Sequence, residues 1–580
     1  MPTPPAPPLE PLLSGHPADL ARFRACVPCT AACPVITDVA GYLRAIRNGD
    51  YTEANRLNAG TNLFPGLLGR VCSRPCEKAC RHADPDLGEA VEICRLKRFA
   101  ADQGHFACVV PTAPAPFTGK RVTIVGAGPA GLTAGYLLSR LGHAVEVFEM
   151  MPRVGGMLTY GIPPFRLPKD EVEREIGNTA AWGLRVNLGV RVGADVPFED
   201  LLAASDAVLV AAGCYAARKP ALPGADLPGV FSGLEFMMTV NAGGLPPVGR
   251  RVLVIGGGFT AVDCARAARR LGASDVHLCI RTTEEDLVVT RDQIVESKRE
   301  GVRFLNLVSS IDILGDCRVE GVRFRYTRLG GARPTGERLT HPIEGSDFTL
   351  DADSVILAVG QAPDPRPFRG DLPEFRADPA TGVTGRPGVW AAGDFARGAS
   401  TVIEAMGNAR RVAWEIHESL TGGAKPGRRV RVGAPGGERR DFRWDFLPRQ
   451  DWAVSEVGER LADPSCETER GFDPEAGTRE ARRCYGCDEH YVIDPERCTL
   501  CAACIEACPR ECIGWARAAD DPDEPGALRW EWVKDWASAV TVAVDNARCI
   551  RCGACAAVCP RRCVTTQRIG LEPSRRVGRE

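Results

Sequence analysis

Two runs of cysteine near the C-terminus repeat one spacing: Cys498, Cys501, Cys504 and Cys508-Pro509, then Cys549, Cys552, Cys555 and Cys559-Pro560. A second population lies near the N-terminus, as Cys26, Cys29 and Cys33-Pro34, then Cys72, Cys76 and Cys80, then Cys94. The 580-residue chain carries 25 cysteines and no charged-then-apolar leader in its first thirty residues. CxxC and CxxxC spacings in such a chain point to soft metal binding by thiolates, not to disulfides. Iron–sulfur clusters draw several thiolates from separate segments, which both populations allow. Zinc, satisfied by four thiolates, is the alternative occupant of the N-terminal set.

Glycines form the second chemical pattern. KRVTIVGAGPAGLTAGYLLSRLGHAVEVFEMMPRVGGML, from Lys120, places Gly126, Gly128 and Gly131 between a β-branched strand and a helix. Glu149 stands at the end of the next strand, and Gly155 and Gly156 follow. Such a loop lets backbone N–H groups approach a pyrophosphate while the carboxylate holds ribose hydroxyls. A second copy starts at Arg251, with Gly256, Gly258 and Ala261 in the same slots. Two dinucleotide folds in one chain imply one flavin, FAD, and one nicotinamide. Arg281 follows the second fold's second strand where NAD-binding chains carry a carboxylate, which suits the 2′-phosphate of NADPH. Thr282 and the nearby Glu284 and Glu285 leave NADH open.

These residues need a multidomain scaffold. Residues 1–20, rich in proline, read as a disordered arm, and 21–115 as a helical cysteine domain, with Val39, Leu43 and Ile46 at helical spacing and a stop at Gly49. A Pro/Ala stretch from Pro111 to Pro116 reads as a linker. Strand-and-glycine runs at 206–224 and 353–364 bracket the second glycine loop. That predicts an α/β FAD domain over 116–244 and 356–422, interrupted by a nicotinamide domain over 245–355. The tract 421–440, rich in glycine and arginine, reads as a solvated linker within a linker region 423–483, and 484–580 as an α+β cysteine domain. Cys214, Cys264 and Cys279 are isolated and read as buried small hydrophobes. Cys512 and Cys563 are expected to pack beside the metal sites, Trp530, Trp532 and Trp536 to be core or hairpin residues, and Cys484 and Cys487 form a CxxC with no assigned role.

A formal charge of −2 gives no footprint for nucleic acid or anionic membranes, and no run of eighteen apolar residues exists for membrane insertion. The expected setting is cytoplasmic.

The order of motifs adds a resemblance. GRVCSRPCEKACRHADPDLGEAVEICRLKRFAAD, the first glycine loop, then YGIPPFRLPKDEVEREI from Tyr160 resemble the small subunit of bacterial glutamate synthase and the N-terminal half of dihydropyrimidine dehydrogenase, over about residues 25 to 420. The resemblance implies two N-terminal [4Fe-4S] clusters with interleaved ligands: Cys26, Cys29 and Cys80 for one, Cys33, Cys72 and Cys76 for the other. This sequence departs from the pattern. Its first group has three cysteines instead of four, and Lys97 stands where the family has a Glu or Gln ligand; Cys94 is the nearest substitute. One or two clusters are therefore expected there. The resemblance also assigns Asp394 to the flavin's ribityl chain and sets Thr401-Val402 near its ring. The C-terminal repeat resembles bacterial two-cluster ferredoxins, in which each motif lends its last cysteine to the other cluster. That implies one cubane on Cys498, Cys501, Cys504 and Cys559 and another on Cys549, Cys552, Cys555 and Cys508. The implied activity is that of an NAD(P)H:acceptor oxidoreductase subunit, joining NAD(P)H, FAD and clusters to a ferredoxin or a larger redox enzyme subunit. The alternatives are a glutamate synthase small subunit proper and a non-enzymatic relay or assembly module.

Overall fold

The computed structural model describes residues 17–104, 114–177, 179–333, 338–368, 375–423, 427–433, 440–520 and 528–574. Most of the proposed arm, Cys108 and half of the Pro/Ala linker lie outside the described residues; a helix begins at Pro17.

The N-terminal domain is built from short helices. Proline opens four of them, Pro17–Cys26, Pro28–Ala32, Pro65–Val71 and Pro75–Lys78, where a missing N–H does no harm. Asp38 and Asp50 cap the helices Val39–Arg47 and Tyr51–Ala59 by accepting from Gly41 and Glu53 N–H. Tyr42, Leu43 and Ile46 meet Leu67, Leu68, Leu96 and Phe99 in one core, and the cysteines are set among them.

Two parallel sheets follow. The first runs Val389–Ala391, Ala207–Val210, Arg121–Val125, Ala144–Glu149, Leu184–Leu188. The second runs Val230–Ser232, Ser354–Leu357, Arg251–Ile255, Asp275–Cys279, Val302–Leu305. Their central strands are buried on both faces, as their continuous Val/Ile/Leu runs require. In each sheet the first glycine-loop strand occupies the middle, so its C-terminal end opens at the crevice where ligands bind parallel sheets. A long antiparallel hairpin, Gly321–Ala332 with Arg338–Asp351, leaves the second sheet's edge and returns.

The expected linker region departs from the sequence reading. Residues 427–433 form a strand paired along its whole length with Val564–Ser574, which pairs in turn with Glu489–Ile493. Residues 441–483 wrap as a strap over the N-terminal and nicotinamide domains. Trp452 receives the Arg95 guanidinium 3.2 Å from its ring centre, and Arg70 pairs with Glu467 at 2.9 Å. Thr468 N–H bonds Phe165 O at 2.9 Å. Glu300 is the strap's buried hub, accepting from Arg266 at 2.7 Å and Arg270 at 2.6 Å, and from Arg460 of the strap at 3.2 Å. Burial alone would raise the Glu300 carboxyl, but hydrogen bonds from Arg266 and Arg270 hold it at about 2. An irregular, polar segment is thus fixed by ionic and aromatic partners distant in sequence, which no local periodicity announces.

In the C-terminal domain the strands Ile513–Asp520, Leu528–Trp532 and Thr541–Val544 form an antiparallel sheet. Trp532 is on this hairpin, as expected, but is 52% exposed, and Trp536 is 69% exposed instead of in the core. The Trp530 side chain lies outside the described residues.

Candidate functional site

Both glycine loops open into one cavity of about 1870 Å³. At the first loop the outer glycines are closed in: a Cβ on Gly126, whose φ is +106°, would sit 2.5 Å from Ala211 O, and one on Gly131 would sit 1.9 Å from Gly126 O. A Cβ on Gly128 would meet only Gly156 Cα at 3.8 Å, so this glycine leaves bare backbone facing the cavity at the start of the helix Pro129–Arg140. The second loop repeats the design. A Cβ on Gly256 would strike Ala358 O at 2.3 Å, whereas Gly258 has nothing within 4 Å and precedes the helix Phe259–Arg270; Ala261 is fully buried behind it. Open middle glycines at helix N-termini are what two pyrophosphates require, so the residues fit two dinucleotides.

The remaining sequence-named residues gather around these loops. Glu149 lines the cavity and also braces the loop, accepting from Ala127 N–H at 2.7 Å and Met151 N–H at 2.9 Å; burial raises its carboxyl. Gly155 N–H bonds Ala127 O at 2.8 Å, and Gly156 lines the cavity. Asp394 is fixed by the Ser400 hydroxyl at 2.6 Å. Thr401 caps the 20-residue helix Val402–Thr421 reciprocally with Glu404, and Thr401 and Val402 both face the cavity. Val71 and Ser73, on either side of Cys72, belong to the same wall. The flavin half of the cavity therefore abuts a cysteine loop.

At the nicotinamide end the wall holds Arg281, Thr282, Asp286 and Arg338. Neither Glu284 nor Glu285 lines it, and Glu284 is neutralised by Lys298 at 2.6 Å. Asp286 accepts from the Thr283 hydroxyl at 2.8 Å, which keeps its carboxyl low, with a smaller contribution from Arg338. Arg338 comes from the antiparallel hairpin and was not singled out in the sequence, because nothing local marks it.

The C-terminal cysteines converge in two small cavities. Cys498, Cys501, Cys504 and Cys559 line one, and Cys508, Cys549, Cys552 and Cys555 the other. Cys512 Sγ lies 3.4 Å from Cys508 Sγ, and Cys563 Sγ 3.3 Å from Cys559 Sγ, so each extra cysteine sits against a Cys-Pro sulfur. At the other end Cys33, Cys72, Cys76 and Cys94 gather around the buried Lys97, whose ammonium all four act upon. Burial would lower Lys97, but these sulfurs, Cys94 foremost, push it above the usual lysine range. Lys97 thus faces a four-thiol set as counter-charge, with Cys94 as fourth member. Cys26 departs from its expected grouping: its leading electrostatic neighbours are Arg551, Arg22, Arg81 and Asp545, not thiols. Cys29 and Cys80 line another cavity, together with Cys484 and Cys487. Among the described residues no three His, Cys, Asp or Glu side chains meet the geometry of a single-ion site.

Comparison with known proteins follows this architecture. A model of the pyridine nucleotide-disulphide oxidoreductase family matches residues 120–411. The chain belongs to this family. Models for dihydropyrimidine dehydrogenase domain II, 4Fe-4S cluster, and for a 4Fe-4S dicluster domain match residues 18–107 and 497–563 of this oxidoreductase. It is 35% identical over 499 residues to the beta subunit of NADP(+)-dependent formate dehydrogenase from Moorella thermoacetica, covering 79% of this chain and 70% of that one. It is 36% identical over 415 residues to the NADPH glutamate synthase small chain of Azospirillum brasilense, covering 67% and 85%. It is 32% identical over 444 residues to the beta subunit of NADPH-Fe(3+) oxidoreductase from Geobacter sulfurreducens, covering 70% and 66%. The oxidoreductase is an iron–sulfur flavoprotein whose relatives are subunits of larger redox enzymes. No helix among its described residues is long and apolar enough to cross a membrane.

Proposed function

We propose that this chain is the NADPH-side subunit of a redox assembly, drawing electrons from NADPH and delivering them singly to a protein acceptor. A bound flavin exchanges a hydride with a nicotinamide and single electrons with iron–sulfur clusters, which is the conversion this order of domains serves. The observation that carries the reading is the shared cavity. Both glycine loops line it, and the residues flanking Cys72 form part of its wall.

The chain's own residues have separable tasks. Gly128 and Gly258 bare the helix N-termini to pyrophosphate; Glu149 and Asp394 stand where ribose and ribityl hydroxyls are held; Thr401 and Val402 present a helix start to the ring. Arg281 and Arg338 favour NADPH, because two guanidinium groups at the cavity's end suit a 2′-phosphate better than a bare ribose. The acceptor is a ferredoxin or a larger enzyme subunit, met at the C-terminal cysteine domain. Every described cysteine is free, in keeping with a reducing cytoplasm.

The test is anaerobic. The purified protein, analysed for iron, sulfide and FAD, is titrated with NADPH and then NADH while flavin absorbance and EPR are followed. NADPH is expected to bleach the flavin and raise reduced-cubane signals, with NADH less effective. A protein holding zinc in place of iron, or one that neither nucleotide bleaches, overturns the proposal.

A further inference from the structure

We propose that Cys29, Cys80, Cys484 and Cys487 hold a [4Fe-4S] cluster, built from both ends of the chain, that links the N-terminal cysteine domain to the C-terminal one. This deepens the function proposed above and rests on its iron–sulfur reading.

Three observations carry the site. The four cysteines line one cavity of about 20 Å³, matching the 20 and 10 Å³ cavities inside the two C-terminal quartets. Cys487, Cys80 and Cys484 all act electrostatically on Cys29. Apart from Arg81, a cation that suits a cluster's negative charge, the rest of the wall is apolar or aromatic, with Val39, Leu43, Val91 and Ile93, and Tyr485 stacked on His82 at 4.5 Å.

The backbone supplies a fourth, independent observation. In the other three quartets, the second residue after the leading cysteine of a motif is left-handed: Arg74 after Cys72 (φ 60°), Leu500 after Cys498 (φ 56°) and Arg551 after Cys549 (φ 59°). That conformation turns an N–H back onto the cysteine sulfur, at 3.4 Å from both Arg74 and Arg551. Gly486 after Cys484 does the same, with φ 64° and its N–H 3.4 Å from Cys484 Sγ. The CxxC at 484 is folded as a cluster loop, with N–H dipoles aimed at a sulfur that carries negative charge.

Position gives the site its role. Cys29 and Cys33 share one short stretch, as do Cys76 and Cys80, so the proposed site lies beside the quartet that borders the flavin cavity. On its other side Arg551 donates to Cys487 O at 2.9 Å and also bonds Cys549 O, tying it to the nearer C-terminal quartet. One electron enters as one leaves, and no bond or proton changes place. Cys26 is left outside this ligand set.

Iron and sulfide analysis with EPR tests the assignment. Wild-type protein is expected to hold about 16 irons per chain, four for each of four cubanes. C484S/C487S should lose about a quarter of them and one EPR component, keep FAD and NADPH bleaching of the flavin, and lose reduction of the C-terminal clusters. C29S and C80S should lose the same component, while C26S and C466S keep full iron. Wild-type protein with about 12 irons and a flavin that NADPH still bleaches, or C484S/C487S with undiminished iron, overturns this site alone. If the variants fail to fold, the wild-type count decides. Zinc throughout would sink the iron–sulfur reading with it.

Discussion

Replacing Arg338 by alanine isolates the choice of nicotinamide from every other function of the cavity. Arg338 and Arg281 are exposed side chains at the cavity's far end, so neither supports the core. A 2′-phosphate carrying nearly two charges attracts one cation 4 Å away by about 2 kcal/mol in water. Salt and the ordering of a long exposed side chain remove about half of that. Each arginine is then worth about 1 kcal/mol, roughly fivefold in KM for NADPH, and the double variant with Arg281→Ala about 25-fold. NADH lacks the phosphate, and its KM should stay within twofold. The assay is anaerobic dye reduction over a range of each nucleotide at low and moderate salt. The NADPH penalty should shrink as salt rises, because the lost interaction is between exposed charges. Equal losses for NADPH and NADH, or no change for NADPH, would refute the assignment of these guanidinium groups to the 2′-phosphate.

Glu300→Gln should destabilise the nicotinamide domain and its strap by about 3–5 kcal/mol in denaturant melts, since it leaves Arg266, Arg270 and Arg460 buried around a neutral amide. The Glu300 carboxyl is held at about 2, below its ordinary 4.5, so its contribution is complete above pH 4.5 and fades as pH falls toward 2. The gap between wild type and variant should therefore close over that window; a constant gap would mean packing, not charge, is being measured. Gly126→Ala forces a Cβ to 2.5 Å from Ala211 O at a φ of +106° and should abolish bound FAD with the iron content intact. Full flavin occupancy in that variant would contradict the proposed role of the loop.

How much was legible in the sequence depended on whether a residue's partner was local. Gly126, Gly128 and Gly131, and their second copy, act within one strand-turn-helix unit, so their spacing carried their geometry. The C-terminal cysteines pair across two copies of one motif, and the resemblance of that repeat to two-cluster ferredoxins implied the exchange. The N-terminal set was partly opaque. Cys26 follows a CxxC rule with Cys29, yet the helix Pro17–Cys26 ends there and the break before Pro28 turns Cys26 toward Arg551 and Arg81. Cys484 and Cys487 displayed the right spacing, but their companions lie at the other end of the chain. The strap failed to register for the same reason: Arg460, Glu467 and Thr468 form no period, and only the folded nicotinamide and N-terminal domains give them partners. Arg338 had no signal at all, being one exposed arginine on a hairpin that the fold carries back to the cavity.

The backbone at the cysteines makes a last prediction, about the protein stripped of iron. Among the described residues eight non-glycine positions have positive φ, and seven of them, Ile36, Arg74, Leu500, Ala502, Glu511, Arg551 and Arg562, lie within three residues after a cysteine. A left-handed residue with a Cβ costs about 1 kcal/mol or more, and such strain persists only where something over-determines it. Seven give about 7 kcal/mol, comparable with the whole stability of a small domain. Thiols cannot supply that: burial pushes the Cys29 thiol up, and hydrogen bonding with Cys94 and then burial push Cys72 up, so both favour the neutral form. Metal–thiolate bonds can, so the cysteine domains should fold only with iron bound. The two parallel sheets have cores of their own, in which Val122, Ile124, Val252 and Val254 are almost wholly buried and owe nothing to metal. Chelation under oxidising conditions followed by brief proteolysis should release the N-terminal hundred residues and the C-terminal domain while a flavin-containing fragment of about residues 115 to 420 survives. If the iron-free cysteine domains resist protease as well as the loaded ones do, side-chain packing alone holds the left-handed loops and the coupling argued from them is wrong.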